Sequence, residues 1–398
     1  MRHKGHIRQR SDNSFEIRYD IGTDPLTGKR RTVTTTVKGD RRDAEKELYR
    51  ILHNTSNGEH IVNSRLTVAE YLKQWIETVR SQINPKTHER YAEIVRNFLI
   101  PSFGHSPLPK LTPVLIQSVY NKWETSGRRD GKAGGLAPRT RLGIHRVFFS
   151  ALKHAVQLQL IIRNPAEWVK PPRAKKVAIE TLTIEQATEL LAALKASYPR
   201  LYWPVLLALT TGMRRGEVLA LRWKNVDFDK MTIRVVESLE QVKQTIRFKA
   251  PKTEKGRAIM LLDYAAEELK AWKKTQADEL KEMGITANED SFVCGRWDGG
   301  PVKPDSLTGE FVRAIRKIPN VPVIRFHDLR HSHATQLLTE GIHPKIAQER
   351  LGHSSIKTTL DLYSHVTDTM QGEAASKLDS VFRSAMKAKS NPSGPKLG

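Results

Sequence analysis

The sequence predicts a multidomain chain: a small α+β module at the N-terminus, an all-α domain in the middle, and a larger, mainly helical mixed α/β domain with a small antiparallel sheet. Three observations lead there. The chain has 398 residues, which suits two to three domains. Its apolar residues switch from a period of two to helical spacing near residue 67. Two stretches with neither period, HNTSNGEHIVNSR and KPPRAKKVA, separate the patterned regions, which fall at 1–60, 66–168 and 178–385.

In NSFEIRYDI, Phe15, Ile17, Tyr19 and Ile21 alternate with charged residues, the period of a half-buried strand. TDPLTGKR supplies turn residues, and the β-branched RRTVTTTV makes a second strand. GDRRDAEKEL reads as a capped, charged helix. From residue 67, Val68, Tyr71, Leu72, Trp75, Ile76 and Val79 line one helical face. NPKTHERYAEIVRNFLI, TPVLIQSVYNKW and PRTRLGIHRVFFSALKHAVQ are three further helices, with proline at a first turn where its missing donor costs nothing. SGRRDGKAGG between them is a basic, glycine-rich loop.

The third region starts near Glu180. TIEQATELLAAL is a helix capped by Thr183 or Thr181, and LYWPVLLALTTG a buried helix ending at Gly212. DKMTIRVVES and TIRFKAPKTEKGRAIML form a strand and a hairpin that turns at KTEKGR. Helices follow at 263–283 and 306–317, then FHDLRHSHATQLLTEG and PKIAQERLG, each closed by glycine. There is no internal repeat and no heptad pattern.

Composition narrows the function. A net charge of +23 points to a polyanionic partner. One cysteine, Cys294, rules out an internal disulfide framework and a cysteine-based zinc site, and fits a reducing, cytoplasmic setting. MRHKGHIRQR is basic but no apolar run follows it, and the longest apolar stretch contains Pro204, so neither a signal peptide nor a membrane span is expected.

Five stretches of the third region set polar residues beside apolar helix faces. TGMRRGEVLALRW places Arg214 after a helix-ending glycine with Glu217 three residues on; Lys252 sits at the hairpin; FHDLRHSHAT places His327 and Arg330 at i,i+3. LGHSS places His353 after a glycine cap, and LDLYSH holds Tyr363, the only aromatic residue in a polar segment. Each has a plain alternative. Arg214 can simply pair with Glu217, and Lys252 can be a solvated turn residue. His327, His331, His333, His353 and His365 suggest a zinc cluster, but the arginines and lysine around them would repel a divalent cation.

Taken together, TGMR…E, a hairpin lysine, H-x-x-R, LGH and a tyrosine about ten residues later resemble the tyrosine recombinases, the phage integrase family. The match covers roughly residues 180–370, and all six positions, Arg214, Lys252, His327, Arg330, His353 and Tyr363, agree with the family pattern. The resemblance implies that 66–168 is a core-binding domain of SAM-like type and 178–385 the catalytic domain. The N-terminal module resembles, in shape and composition, an arm-type DNA-binding domain. Implied partners are double-stranded DNA with core and arm sites, three further copies in a DNA-bound tetramer, and an excisionase or host DNA-bending protein.

The residue types suit that chemistry. Guanidinium forks match phosphate geometry, so Arg214 and Arg330 would clamp the non-bridging oxygens. Lys252 suits a general acid for the leaving 5′ oxygen, and the two histidines divide base and donor roles in an order the sequence leaves open. With this cationic load no metal or other cofactor is expected. A tyrosine phenol ordinarily ionises near pH 10, so neighbouring cations must help it. Its attack gives a phosphotyrosyl ester that a second DNA hydroxyl can displace. A type IB topoisomerase shares this chemistry and is the alternative reading. A non-catalytic DNA-binding regulator accounts for the charge but not the constellation, and no serine stands in a nucleophile motif with its own arginines.

Overall fold

The computed structural model describes residues 5–23, 30–56, 66–174, 179–250, 256–363 and 367–390. The chain divides into two compact units, residues 1–176 and 177–398. The first contains two separate hydrophobic cores, one in each of the regions the sequence distinguishes.

The N-terminal core lies under an antiparallel sheet of β1 (Gly5–Ser11), β2 (Ser14–Thr23) and β3 (Arg30–Lys38). Ile17 faces Ile7 on one side and Thr35 on the other. The alternation places Phe15, Ile17 and Tyr19 inward, against Ala44 and Ile51 of α1 (Arg41–Ser56). Asp40 caps α1, its Oδ1 accepting the Asp43 backbone N–H at 2.8 Å. β1 is a strand the sequence reading does not contain. Its GHIRQRS has one apolar residue and lies mostly exposed at a sheet edge, so there is no alternation to read.

The helical region opens with α2 (Val68–Val79), started by a capping box between Thr67 and Glu70. α3 (Pro85–Ile94) runs through a π turn at Val95–Leu99 into α4 (Ile100–Phe103). Pro101 explains the wide turn: it lacks an N–H and its ring excludes the carbonyl four residues back, on Asn97. That carbonyl instead accepts Arg129 Nη1 at 2.8 Å. α5 (Pro113–Thr125) and α6 (Pro138–Gln157) complete a core in which Phe103 stacks on Phe148 with ring centroids 4.8 Å apart.

In the second unit, α7 (Ile184–Ser197) takes Thr183 as its cap, in a capping box with Gln186. α8 (Pro199–Thr211) is buried along most of its length, and α9 (Arg215–Ala220) follows after a sharp turn. Next come β4 (Val226–Asp227), β5 (Thr232–Val235), β6 (Ser238–Val242), β7 (Thr245–Lys249) and β8 (Arg257–Met260). Here the expected hairpin is corrected. β7 pairs with β6 through a turn at Lys243, whereas β8 pairs with β5 in a sheet ordered β4-β5-β8. The KTEKGR signal marks a connection between strands of two different sheets. The turn residues are legible there, but the pairing partners are not.

α10 (Asp263–Glu282), α11 (Pro304–Ile315) and α12 (Phe326–Thr339) pack with α8 around the unit's core. α13 (Pro344–Leu351), α14 (Ile356–Tyr363) and α15 (Thr367–Ser390) end the chain's described part. The fold class is that expected from the sequence: mainly helical, with small antiparallel sheets and an N-terminal α+β module. Among the described residues no helix is long and apolar enough to cross a membrane.

Candidate active site

Helix ends build this site. α8 stops at Gly212, which adopts φ 67°, a left-handed conformation that glycine enters without Cβ strain. The reversal delivers Arg214 to the start of α9. Its backbone N–H donates to Glu217 Oε2 at 2.9 Å, Nη1 to Glu217 Oε1 at 2.8 Å, and Nη2 to the Gly352 carbonyl at 2.8 Å. Glu217 is only 2% exposed. Burial alone would raise its carboxyl pKa, but Arg257 and Arg214 overturn that and hold it at about 2.

α12 supplies the second arginine. Its N-terminus is fixed by Asp328, whose Oδ2 accepts the Arg325 backbone N–H at 2.9 Å. Ser332 Oγ donates to the Asp328 carbonyl and accepts the Leu182 N–H, both at 2.9 Å, tying α12 to the entry of α7. Arg330 is 3% exposed, with Nη1 on the Gly212 carbonyl and Nη2 on the Leu351 carbonyl, each at 2.6 Å. Burial, then Arg214, lower its pKa to about 9, so it stays charged at neutral pH.

His327 lies one turn before Arg330 and keeps solvent contact. The protein packed around its ring, then His331 and Arg330, lower its pKa. His327 and His331 rings meet edge to face with centroids 5.0 Å apart. His333 is directed elsewhere: its Nδ1 is 2.7 Å from the Leu209 carbonyl and its Nε2 accepts Arg350 Nε at 3.1 Å. Both nitrogens are engaged, which removes His333 from the histidine cluster considered from sequence. Among the described residues no group of three or more His, Cys, Asp or Glu is arranged to hold a metal ion.

α13 ends at Gly352 with φ 66°. His353 follows, half-buried, its Nδ1 2.9 Å from Thr359 Oγ1 on α14. Burial, then Arg330 and Arg214, push its pKa down to about 4, leaving it neutral at pH 7. Tyr363 is the last residue of α14; its backbone is described and its side chain is not. Lys252 and His365 fall outside the described residues. Of the six expected residues, then, Arg214, Arg330 and His353 share one site, and His327 shares α12 with Arg330. Sequence reasoning missed Arg257. Its signal was strand alternation: Arg257 shares the inward face of β8 with buried Ile259.

Two arginines around a buried carboxylate, one at the start of α9 and one in the second turn of α12, make a cationic site suited to a phosphate, and the class, a DNA strand-transfer enzyme of the tyrosine type, follows from the family this domain matches. The chain belongs to the phage integrase family: the profile described as "Phage integrase family" matches residues 180–370, and that described as "Phage integrase, N-terminal SAM-like domain" matches residues 67–124. It is a tyrosine site-specific recombinase of the mobile-element kind. Curated relatives include a tyrosine recombinase XerC-like protein of Caldanaerobacter subterraneus subsp. tengcongensis, 28% identical over 85% of this chain and 89% of that protein. The ICEBs1 integrase of Bacillus subtilis is 25% identical over 94% of this chain and 100% of its own length. In fold, the chain resembles the Tn1549 transposon integrase in complex with a circular intermediate DNA, with TM-score 0.64 at 22% identity, covering 78% of this chain and 99% of that one. It also resembles a lambda integrase tetramer bound to a Holliday junction, with TM-score 0.57 at 20% identity, covering 89% and 94%.

Proposed function

We propose that Tyr363 is the nucleophile and that Arg214, Arg330, His327, His353 and Lys252 form the rest of the catalytic set. The tyrosine oxygen attacks the scissile phosphorus and displaces the 5′ oxygen, leaving a 3′-phosphotyrosyl ester and a free 5′ hydroxyl. The phenol proton passes to a histidine, and Lys252 protonates the leaving oxygen. Arg214 and Arg330 stabilise the charge on the non-bridging oxygens, an interaction of a kind that contributes about 3–4 kcal/mol per donor. With the Thr359 hydroxyl donating to Nδ1, neutral His353 carries its proton on Nε2 and donates it to the same phosphate. A 5′ hydroxyl from a second duplex then displaces the tyrosine, conserving the bond energy.

The observation that supports this reading most is the convergence of Arg330 and Arg214 on adjacent carbonyls, Leu351 and Gly352, immediately before His353. Residues 1–60 would read arm-type sites, 66–168 the core site, and 178–385 would carry the chemistry. The substrate is double-stranded DNA with core and arm sites, bound by a tetramer of this chain. An excisionase or host DNA-bending protein is a further partner of the assembly, and the reaction takes place in the cytoplasm.

Trapping on a nicked duplex tests the assignment. Tyr363→Phe should bind the duplex as tightly as wild type and form no covalent adduct; an adduct in that variant would place the nucleophile elsewhere. Lys252→Ala should fail on ordinary DNA yet cleave a 5′-bridging phosphorothiolate, whose leaving sulfur needs no proton. Equal defects on both substrates would reduce Lys252 to a binding role. Strand transfer between two specific duplexes, as opposed to relaxation alone, separates a recombinase from a topoisomerase.

A further inference from the structure

Arg257 has no part in the chemistry above, yet it is built into the site more tightly than Arg214. Its side chain is 12% exposed against 27% for Arg214. Nη1 and Nη2 donate to Glu217 Oε1 at 3.1 Å and Oε2 at 2.6 Å, a two-point fork, while Nε donates to the Arg350 carbonyl at 3.1 Å. Gly352 lies directly against it: a Cβ there would meet Arg257 Cδ at 3.0 Å and Nε at 3.1 Å. So β8, α9 and the end of α13 are joined through one guanidinium.

The charges explain why that junction matters. Glu217 is shared, because Arg214 Nη1 also donates to its Oε1. With Arg257 present, the carboxylate is already neutralised and Arg214 keeps most of its charge for another anion. Without Arg257, a buried carboxylate would face Arg214 alone. At low local dielectric that pair tightens and draws the guanidinium away from a bound phosphate. The Arg350 carbonyl would also lose its donor, loosening the backbone turn on which Arg214 and Arg330 rest.

We propose that Arg257 is a positioning residue for DNA cleavage: it neutralises Glu217 and pins the end of α13, so that Arg214 and Arg330 present their charge to the scissile phosphate. It acts through those residues without touching DNA. The inference rests on the reading in which these two arginines hold the phosphate.

The test uses the full chain and covalent trapping on a nicked duplex at saturating DNA, with binding measured separately. Arg257→Met keeps the volume and removes the charge. It should bind DNA within about twofold of wild type and form adduct about 100-fold more slowly, roughly 2.7 kcal/mol. Adding Glu217→Gln removes the unopposed carboxylate, so the double variant should recover at least about tenfold of that loss. Arg257→Lys retains a cation beside Glu217 and should stay within about tenfold of wild type; it also serves as the comparison if Arg257→Met does not fold. A double variant as slow as Arg257→Met, or Arg257→Lys as slow as Arg257→Met, would overturn the proposal, since loss of packing alone would not be relieved by removing a charge. Wild type that fails to trap, or Tyr363→Phe that traps, would instead refute the parent reading.

Discussion

His333 shows how one residue fixes its own protonation state. Its Nδ1 faces a carbonyl and so donates, while its Nε2 faces the Arg350 guanidinium and so accepts. Only the neutral ring satisfies both. Burial, then Arg350, push its pKa to about 4. A histidine whose folded pKa is depressed contributes stability above its ordinary value of 6.5 and loses it as pH falls towards 4, because the unfolded chain takes the proton first. The contribution is at most about 3 kcal/mol. Urea unfolding at pH 7 and pH 4.5 should therefore show a smaller pH loss for His333→Gln than for wild type. An unchanged loss would assign the effect to other histidines. At this scale the motif residues Arg214, Arg330 and His353 were legible, because their types and order carry the chemistry. Arg257 and His333 were not. Strand alternation turns Arg257 inward, but its role, like that of His333, depends on partners 40 and 124 positions away, which no local pattern names.

Helix ends do most of the positioning at the level of elements. Gly212 ends α8 in a left-handed conformation and gives its carbonyl to Arg330. A Cβ at that position would meet His333 Cδ2 and Leu351 Cδ2, both at 2.6 Å. Gly212→Ala should therefore cost about 1–3 kcal/mol in stability from backbone strain and overlap. It should also slow adduct formation more than tenfold by moving the acceptor of Arg330. Unfolding curves and trapping rates measured together decide this; a stable variant with normal trapping would show that the turn tolerates both. The glycine caps and capping boxes at Thr67 and Thr183 were readable because their chemistry is local. The partners of β7 and β8 were not, since turn residues signal a reversal without naming the strand beyond it.

For the whole molecule, charge and modularity make the prediction. The N-terminal core around Phe15, Ile17 and Tyr19 shares no residue with the helical core around Tyr71 and Phe148. A chain beginning at Arg65 should therefore stay folded and cleave core-site DNA. It should lose the preference for arm-containing duplex, and its binding should depend less steeply on salt because fewer phosphates are neutralised. Gel-shift titrations of both chains on core-only and arm-containing duplexes provide the measurement. Equal affinity for the arm-containing duplex would assign the N-terminal module to protein contacts. The regional organisation was visible in the change of hydrophobic period near residue 67, but edge strand β1 was hidden by its polar composition.

The last turn of α13 offers three successive carbonyls, of Arg350, Leu351 and Gly352, to Arg257, Arg330 and Arg214 in that order. The partial negative charge that gathers at a helix C-terminus suits it to this task. Because these acceptors are main-chain atoms, alanine substitutions at 350 and 351 would leave all three in place and would understate the segment's importance. Replacing single amides by esters, or shortening the turn by one residue, would expose it. A single ester would weaken the hold on one arginine, and the shortened turn would take the bearings from all three at once, though no side chain of the catalytic set had been altered.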